Sequence, residues 1–154
     1  MHIIPATDLR IVREMLQAAD LPYEDIDQDS VARFYLLQEA GQPVALAGLE
    51  LHGDAALLRS LVVVPAQRGR GLARQLLDHL CREARSGGAS HLYLLTVGAA
   101  DYFRRLGFHD LPRDRAPAEI RNTREFAQLC PQHADLLCQR LPAKRPPLPE
   151  SANL

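Results

Sequence analysis

This sequence has no tryptophan, and its tyrosines and phenylalanines bring the aromatic content to only 5%. It also lacks a surplus of either charge: 18 Lys and Arg stand against 19 Asp and Glu, a formal net of −1. Without a global positive field, the chain has no general attraction for nucleic acid or an anionic membrane, so any anion must be held by a local cluster. Its arginines gather at one turn and do not run along a stripe interleaved with aromatics, which speaks against a nucleic-acid role. No apolar stretch approaches the length of a membrane span. Met1 to Arg13 lacks the basic start and long apolar run of a signal peptide. Three cysteines, an odd number, argue against a disulfide framework and for a reducing cytoplasm.

What is present is the composition of an ordinary globular domain. The chain has 154 residues, 47% hydrophobic and 24% charged, enough for one domain with a real core. No internal repeat divides it. Thr7 or Asp8 caps a first helix with Leu9, Val12, Leu16 and Ala19 at helical spacing, stopped by Asp20-Leu21-Pro22. Strands are expected at Phe34 to Glu39, Val44 to Leu51 and Leu57 to Val64, with turns at Gly41-Gln42-Pro43 and His52-Gly53-Asp54. The third strand is apolar except for Arg59 and Ser60, as a central strand buried on both faces should be. From Gly69 the chain reads as helix, with Leu72, Leu76, Leu77, Leu80 and Ala84 on one stripe. Leu92 to Val97 reads as strand and Ala99 to Leu106 as helix. Ala118 to Cys130 reads as largely helical, and Ala134 to Leu141 as a last strand. The domain is expected to span 1–141, and the proline-rich stretch 142–154 to be a disordered tail. Together these elements predict an α+β fold: a mixed, mostly antiparallel central sheet with helices on both faces.

The chemistry concentrates in Leu61-Val62-Val63-Val64-Pro65-Ala66-Gln67-Arg68-Gly69-Arg70-Gly71-Leu72-Ala73-Arg74. Pro65 cannot donate to a ladder, so the strand ends there. Gly69 and Gly71 let backbone approach a ligand, and Ala73 keeps the first helical turn slim. The first N–H groups of a helix lack internal partners and suit a pyrophosphate, beside which Arg68, Arg70 and Arg74 add charge. An ordinary strand-to-helix turn with solvated arginines matches the same residues. The Gly-Lys-Ser/Thr ending of a Walker turn is absent, and so is the Gly-x-Gly-x-x-Gly of a Rossmann fingerprint.

Arg68-x-x-Gly71-x-Ala73, after Val63-x-Pro65 on a strand and before a long amphipathic helix, closely resembles the acyl-CoA-binding motif of the GNAT superfamily. Tyr102-Phe103-Arg104-Arg105-Leu106-Gly107-Phe108 resembles that superfamily's second marker. The resemblance covers roughly residues 1 to 110. It implies a splay between the two central strands and acetyl-CoA as acyl donor. Leu61, Val62 and Val63 would hold the pantetheine arm, and backbone N–H groups from Gly69 through Arg70, Gly71, Leu72 and Ala73 to Arg74 the pyrophosphate. It further implies an N-acetyltransferase in which a neutral amine attacks the thioester, an N–H near Val63 meets the oxyanion, a base takes the amine proton and an acid protonates the thiolate. A homodimer is a family expectation as well. No metal is implied.

At one position the sequence departs from that pattern. The family's usual acid, a tyrosine four residues before the glycine of Leu-Gly-Phe, is replaced by Phe103, and Tyr102 lies one residue earlier, about 100° round the helix. Tyr102 is the candidate acid, with a partly buried tyrosine of no catalytic role as the alternative. Glu50, between Leu49 and Leu51, is the candidate base, or else the polar face of a hairpin strand. Arg59 needs a partner, which Glu50 or an acceptor's carboxylate would supply, and Thr96 would line the same cleft. Cys130-x-x-His133-x-x-x-x-Cys138 lacks the pairing of a normal metal site and reads as small buried thiols. The tail segment from Arg113 to Pro131 looks like that of a GNAT subgroup from arsenic-resistance clusters and of amino-acid N-acetyltransferases of the N-acetylglutamate synthase type. The acceptor it implies is a small-molecule amine, amino-acid-like, with Arg59, Arg121 or Arg124 clamping a carboxylate. With Phe103 in the acid's place, a CoA-binding sensor or interaction module without turnover is the alternative function.

Overall fold

The computed structural model describes residues 1–129 and 131–142. Most of the expected tail, and Cys130, therefore lie outside the described residues. Among the described residues seven strands form one sheet in the order β1-β2-β3-β4-β5-β7-β6. They are β1 (His2–Pro5), β2 (Arg33–Glu39), β3 (Gln42–His52), β4 (Ala55–Val63), β5 (His91–Thr96), β6 (His109–Asp110) and β7 (Asp135–Arg140). Four α-helices accompany them among the described residues: α1 (Leu9–Ala18), α2 (Leu72–Ser86), α3 (Ala100–Arg105) and α4 (Ala118–Arg121). Among the described residues only β4 and β5 run parallel; every other neighbouring pair is antiparallel.

Burial alternates across the sheet as the two-residue period of a strand requires. On one face Tyr35, Leu37, Ala45, Ala47 and Leu49 meet the α2 stripe of Leu72, Leu76, Leu77, Leu80 and Ala84. On the other, Phe34, Leu36 and Leu46 meet Val12 and Leu16 of α1. Each of these leucines contributes about 1.5–3 kcal/mol by leaving water, so the two helices clamp the sheet from opposite sides. Asp8 is the α1 cap: its carboxylate accepts the Arg10 N–H at 3.0 Å.

Several boundaries differ from expectation for identifiable reasons. β1 carries no alternation that would mark it, and Pro5 sits there without cost because the strand is at the sheet edge. Gln42 and Pro43 belong to β3, opposite Glu39 and Gln38, so the turn is tighter than the proline suggests. α2 begins at Leu72 and not at Gly69, because Gly69 and Gly71 both take left-handed backbone, φ +82° and +74°. The segment after α4 continues as a turn of π-helix, Glu125–Leu129.

A bulge in β4 is the feature that shapes the site. Val62 faces Leu46, but Arg59 faces Gly48, so β4 carries one extra residue there, and Ser60 has φ +62°. The insertion flips the side-chain parity of the strand. Ala56 and Leu58 point to the α2 face before it, and Leu61 and Val63 after it. Leu57 and Val62 point the other way.

Candidate active site

The β4–β5 ladder is short. Its pairs are Ala55 with His91, Ala56 with Leu92 and Leu57 with Tyr93, yet β4 runs on to Val63 and β5 to Thr96. Beyond Leu57 the two strands part around a cleft of about 1770 Å³. Leu58 to Val63 form one wall, and Leu94 to Val97 with Tyr102 and Phe103 the other; the Gly69–Arg74 turn closes one end.

Backbone geometry on the β4 wall follows from one hydrogen bond. Val64 donates to the Val44 carbonyl at 2.9 Å. The carbonyl of Val63, opposite that N–H in a trans peptide, must point away from β3 and into the cleft. Arg68 confirms the direction by donating its Nε to the Val63 oxygen at 3.3 Å. In an extended strand the Val63 N–H lies on the same side. Val62, paired with Leu46, turns its backbone groups to β3 instead. Of the three expected arm-binding residues, Val63 presents both backbone groups to the cleft, and Leu61 follows it in parity.

At the turn, Arg68, Gly69, Gly71, Leu72, Ala73 and Arg74 line the cleft. A β-carbon at Gly69 or Gly71 would meet nothing within 4 Å. The glycines are therefore required by their φ angles and not by crowding. Arg70 departs from expectation. Its guanidinium bonds Glu39 on β2 at 2.7 and 3.1 Å and does not line the cleft. That contact holds the Glu39 carboxyl below its ordinary range.

On the same β4 wall, before the bulge, Arg59 lines the cleft and is 2% exposed. Its Nη2 bonds Asp25 Oδ1 at 3.0 Å, its Nη1 bonds Asp25 Oδ2 and, at 3.3 Å, Glu50 Oε2, and its Nε donates to Ser60 Oγ at 3.1 Å. Burial alone would lower the guanidinium's proton affinity, but Asp25, Glu125 and Glu50 outweigh it and the net shift is upward. Glu50 uses its other oxygen on His52 Nε2 at 2.8 Å and does not line the cleft. Gly48 makes this packing possible: a β-carbon there would come within 2.7 Å of Phe34 Cε1 and 3.1 Å of Arg59 Cγ. Thr96 lines the cleft at the end of β5. Tyr102 lines it too, 37% exposed, while Phe103 is buried edge-to-face against Phe108. Arg121 and Arg124 are exposed and off the cleft.

Residues 6–108 match the acetyltransferase (GNAT) family, more than half of the chain. This chain belongs to the GNAT acetyltransferases. An amino-acid acetyltransferase of Pseudomonas fluorescens (strain Pf0-1) is 30% identical over 96 residues, which are 61% of this chain and 22% of the relative. A Pseudomonas putida protein of the same name is 31% identical over equal shares. The chain thus spans only about a fifth of the length of these curated relatives. N-acetylglutamate synthase from Neisseria gonorrhoeae, complexed with coenzyme A and N-acetyl-glutamate, superposes with a TM-score of 0.73 at 20% identity, covering 92% of this chain and 35% of that one. Tetrahymena GCN5 superposes at 0.75 and 13% identity, covering 94% and 99%. At such identities the solved structures show the GNAT fold.

Acetyl-CoA, the GNAT acyl donor, fits the residues present. The Val63 backbone groups point into the cleft, the left-handed turn exposes N–H groups ahead of α2, and Arg68 and Arg74 stand beside them. Two residues at the site escaped the sequence reading. Asp25 lies in a loop that carries no periodic signal, and Glu125 sits in a motif noticed only for its resemblance. Nothing local marks either as a neighbour of Arg59.

Proposed function

We propose that this domain transfers the acetyl group of acetyl-CoA to the amine of a small molecule, an amino acid or amino-acid-like compound, by direct attack on the thioester. The observation that carries the reading is one cleft with an open β4 edge above the glycine turn and a buried charged cluster at its other side. The curated relatives, named amino-acid acetyltransferases, support the acceptor class.

In this reading, the β4 edge holds the pantetheine arm as an added strand would, and N–H groups of the turn hold the pyrophosphate. The Val63 N–H faces the thioester oxygen as negative charge develops on it. Acetyl-CoA supplies an acyl group on a sulfur that leaves readily. Tyr102 gives its phenolic proton to that sulfur. Arg59 and Thr96 border the acceptor. Glu50, behind Arg59 with both oxygens engaged, fixes the guanidinium and does not meet an amine directly. The free thiols of Cys81 and Cys138 suit the cytoplasm. Homodimer formation belongs to the same proposal, and light scattering of the purified protein tests it.

One observation favours the second reading, a CoA-binding module without turnover: Phe103 fills the family acid's place and is spent on packing. A melting scan with acetyl-CoA, followed by thiol release over a panel of amines, separates the two. Stabilisation with release supports transfer. Stabilisation without release for any amine supports the sensor. No stabilisation at 100 times a normal Kd, where about 2.7 kcal/mol is due, sinks both.

A further inference from the structure

Three carboxyl groups gather on the one guanidinium of Arg59: Asp25, Glu50 and Glu125. They are not equivalent. Asp25 places both oxygens on Arg59. Glu50 divides its two between Arg59 and His52. Neither lines the cleft among the described residues, whereas Glu125 does, although it is only 4% exposed. All three carboxyls act on Arg59, and of the three Glu125 is the one that borders the space an acceptor would occupy.

The position of Glu125 is built from several sides. It opens the π-helical turn Glu125–Leu129, a geometry found disproportionately at functional sites. Thr123 donates its hydroxyl to the Ile120 carbonyl at 2.7 Å and accepts the Phe126 N–H at 3.2 Å, which fixes the entry to that turn. Ile120 is fully buried beneath it. On the far side the Arg113 guanidinium lies 4.3 Å from the Phe126 ring centre and donates to the Ala134 carbonyl. These contacts leave residue 125 little freedom to move away from the cleft.

We propose that Glu125 is the catalytic base of the acetyl transfer: its carboxylate receives the acceptor's ammonium and takes one proton from it. The proposal rests on the acetyltransferase reading above. The neutral amine's lone pair then forms the N–C bond at the thioester carbon while the C–S electron pair leaves on sulfur. The thiolate takes the phenolic proton of Tyr102, the second amine proton restores the phenol, and Glu125 returns its proton to solvent. The sum is one ammonium and one thioester giving one amide, one thiol and one proton. Along β4, Val63 lies four positions beyond Arg59, roughly 13 Å of strand shortened by the bulge, so the oxyanion donor and the guanidinium on which Glu125 acts stand apart along one wall of the cleft.

The test compares Glu125→Gln with Glu50→Gln and the wild type across pH, using acetyl-CoA and the best amine of the panel. The charged groups facing Glu125 are Arg59 from β4, Asp25 from the α1–β2 loop, Glu50 and His52 from β3 behind Arg59, and Arg113 beside the next residue. Glu125→Gln should lower kcat about 100-fold at neutral pH with KM for acetyl-CoA unchanged, and recover as alkali supplies free amine. Glu50→Gln, which only loosens Arg59, should lose activity by a factor that does not recover with pH. The proposal is overturned if Glu125→Gln keeps kcat within twofold, or if its deficit is the same at every pH while the melting temperature falls. A wild type that releases no thiol with any amine overturns the acetyltransferase reading and the base with it. An active wild type with an unaffected Glu125→Gln overturns the base alone.

Discussion

In the proposed transfer, the donor side of the cleft would work through backbone and the acceptor side through side chains. At the donor side, Val63 and the turn from Gly69 to Arg74 offer N–H and carbonyl groups whose directions are set by strand pairing and two left-handed glycines. At the acceptor side, Asp25, Glu50, Arg59 and Glu125 come from a loop, two strands and the C-terminal turn and meet through their charges. A backbone site tolerates many side-chain changes but not a change of φ. A buried charge network tolerates neither the loss of one member nor a shift of the elements that carry it.

Arg59→Ala strikes the side-chain network hardest. It leaves Asp25, Glu50 and Glu125 buried without their common partner, and should cost about 3–5 kcal/mol of folding free energy, measured by urea unfolding. Retained stability would mean that the acceptor side is not a network at all. Next comes Tyr102→Phe, which removes the phenolic hydroxyl and keeps the ring. It should reduce kcat about 10- to 100-fold with both KM values unchanged, whereas a loss confined to KM would make Tyr102 a contact and not an acid. Gly71→Ala then probes the donor side. The β-carbon has open space, so its whole cost, about 1–2 kcal/mol, comes from left-handed backbone. Acetyl-CoA affinity should fall roughly tenfold as the turn relaxes. An equal loss of stability with unchanged affinity would show that the turn does not hold the pyrophosphate.

The same division explains what could be read from the residues in order. The donor side is local: Val63-x-Pro65, Arg68, Gly71 and Ala73 lie within one strand-turn-helix, so its form is written in adjacent positions. The α2 stripe and the β2–β4 hairpins were legible through their periods. The bulge at Ser60 was not, because one inserted residue leaves an apolar run looking continuous while reversing its parity. Arg59 was conspicuous as a buried charge, and Glu50 across the hairpin was one of the two partners open to it, beside an acceptor's carboxylate. Asp25 and Glu125 could not follow, since only tertiary packing brings the α1–β2 loop and the turn after α4 to β4. The pairing of Arg70 was hidden for the same reason: its partner Glu39 is far away in sequence and close in space.

The smallest expected effect tests whether Arg70 belongs to the donor side or has been withdrawn from it. Glu39→Gln removes the carboxylate that holds the guanidinium away from the cleft. Both groups are exposed, so the contact is screened by salt and adds little to folding. Arg70, still bonded to Gln67 Oε1 but no longer to a carboxylate, can then swing toward the pyrophosphate, and acetyl-CoA should bind about twofold more tightly at low ionic strength, with the gain gone at high salt. Arg70 depresses the Glu39 carboxyl, so in the wild type the pair persists from neutral pH down through the ordinary carboxylate range. It is lost only as pH falls through that lowered value, where wild type and variant should converge. Titration calorimetry at two salt concentrations and two pH values measures all of this. A variant that binds more weakly at low salt would show that Glu39 holds Arg70 where the turn needs it, placing the pair among the supports of the glycine turn.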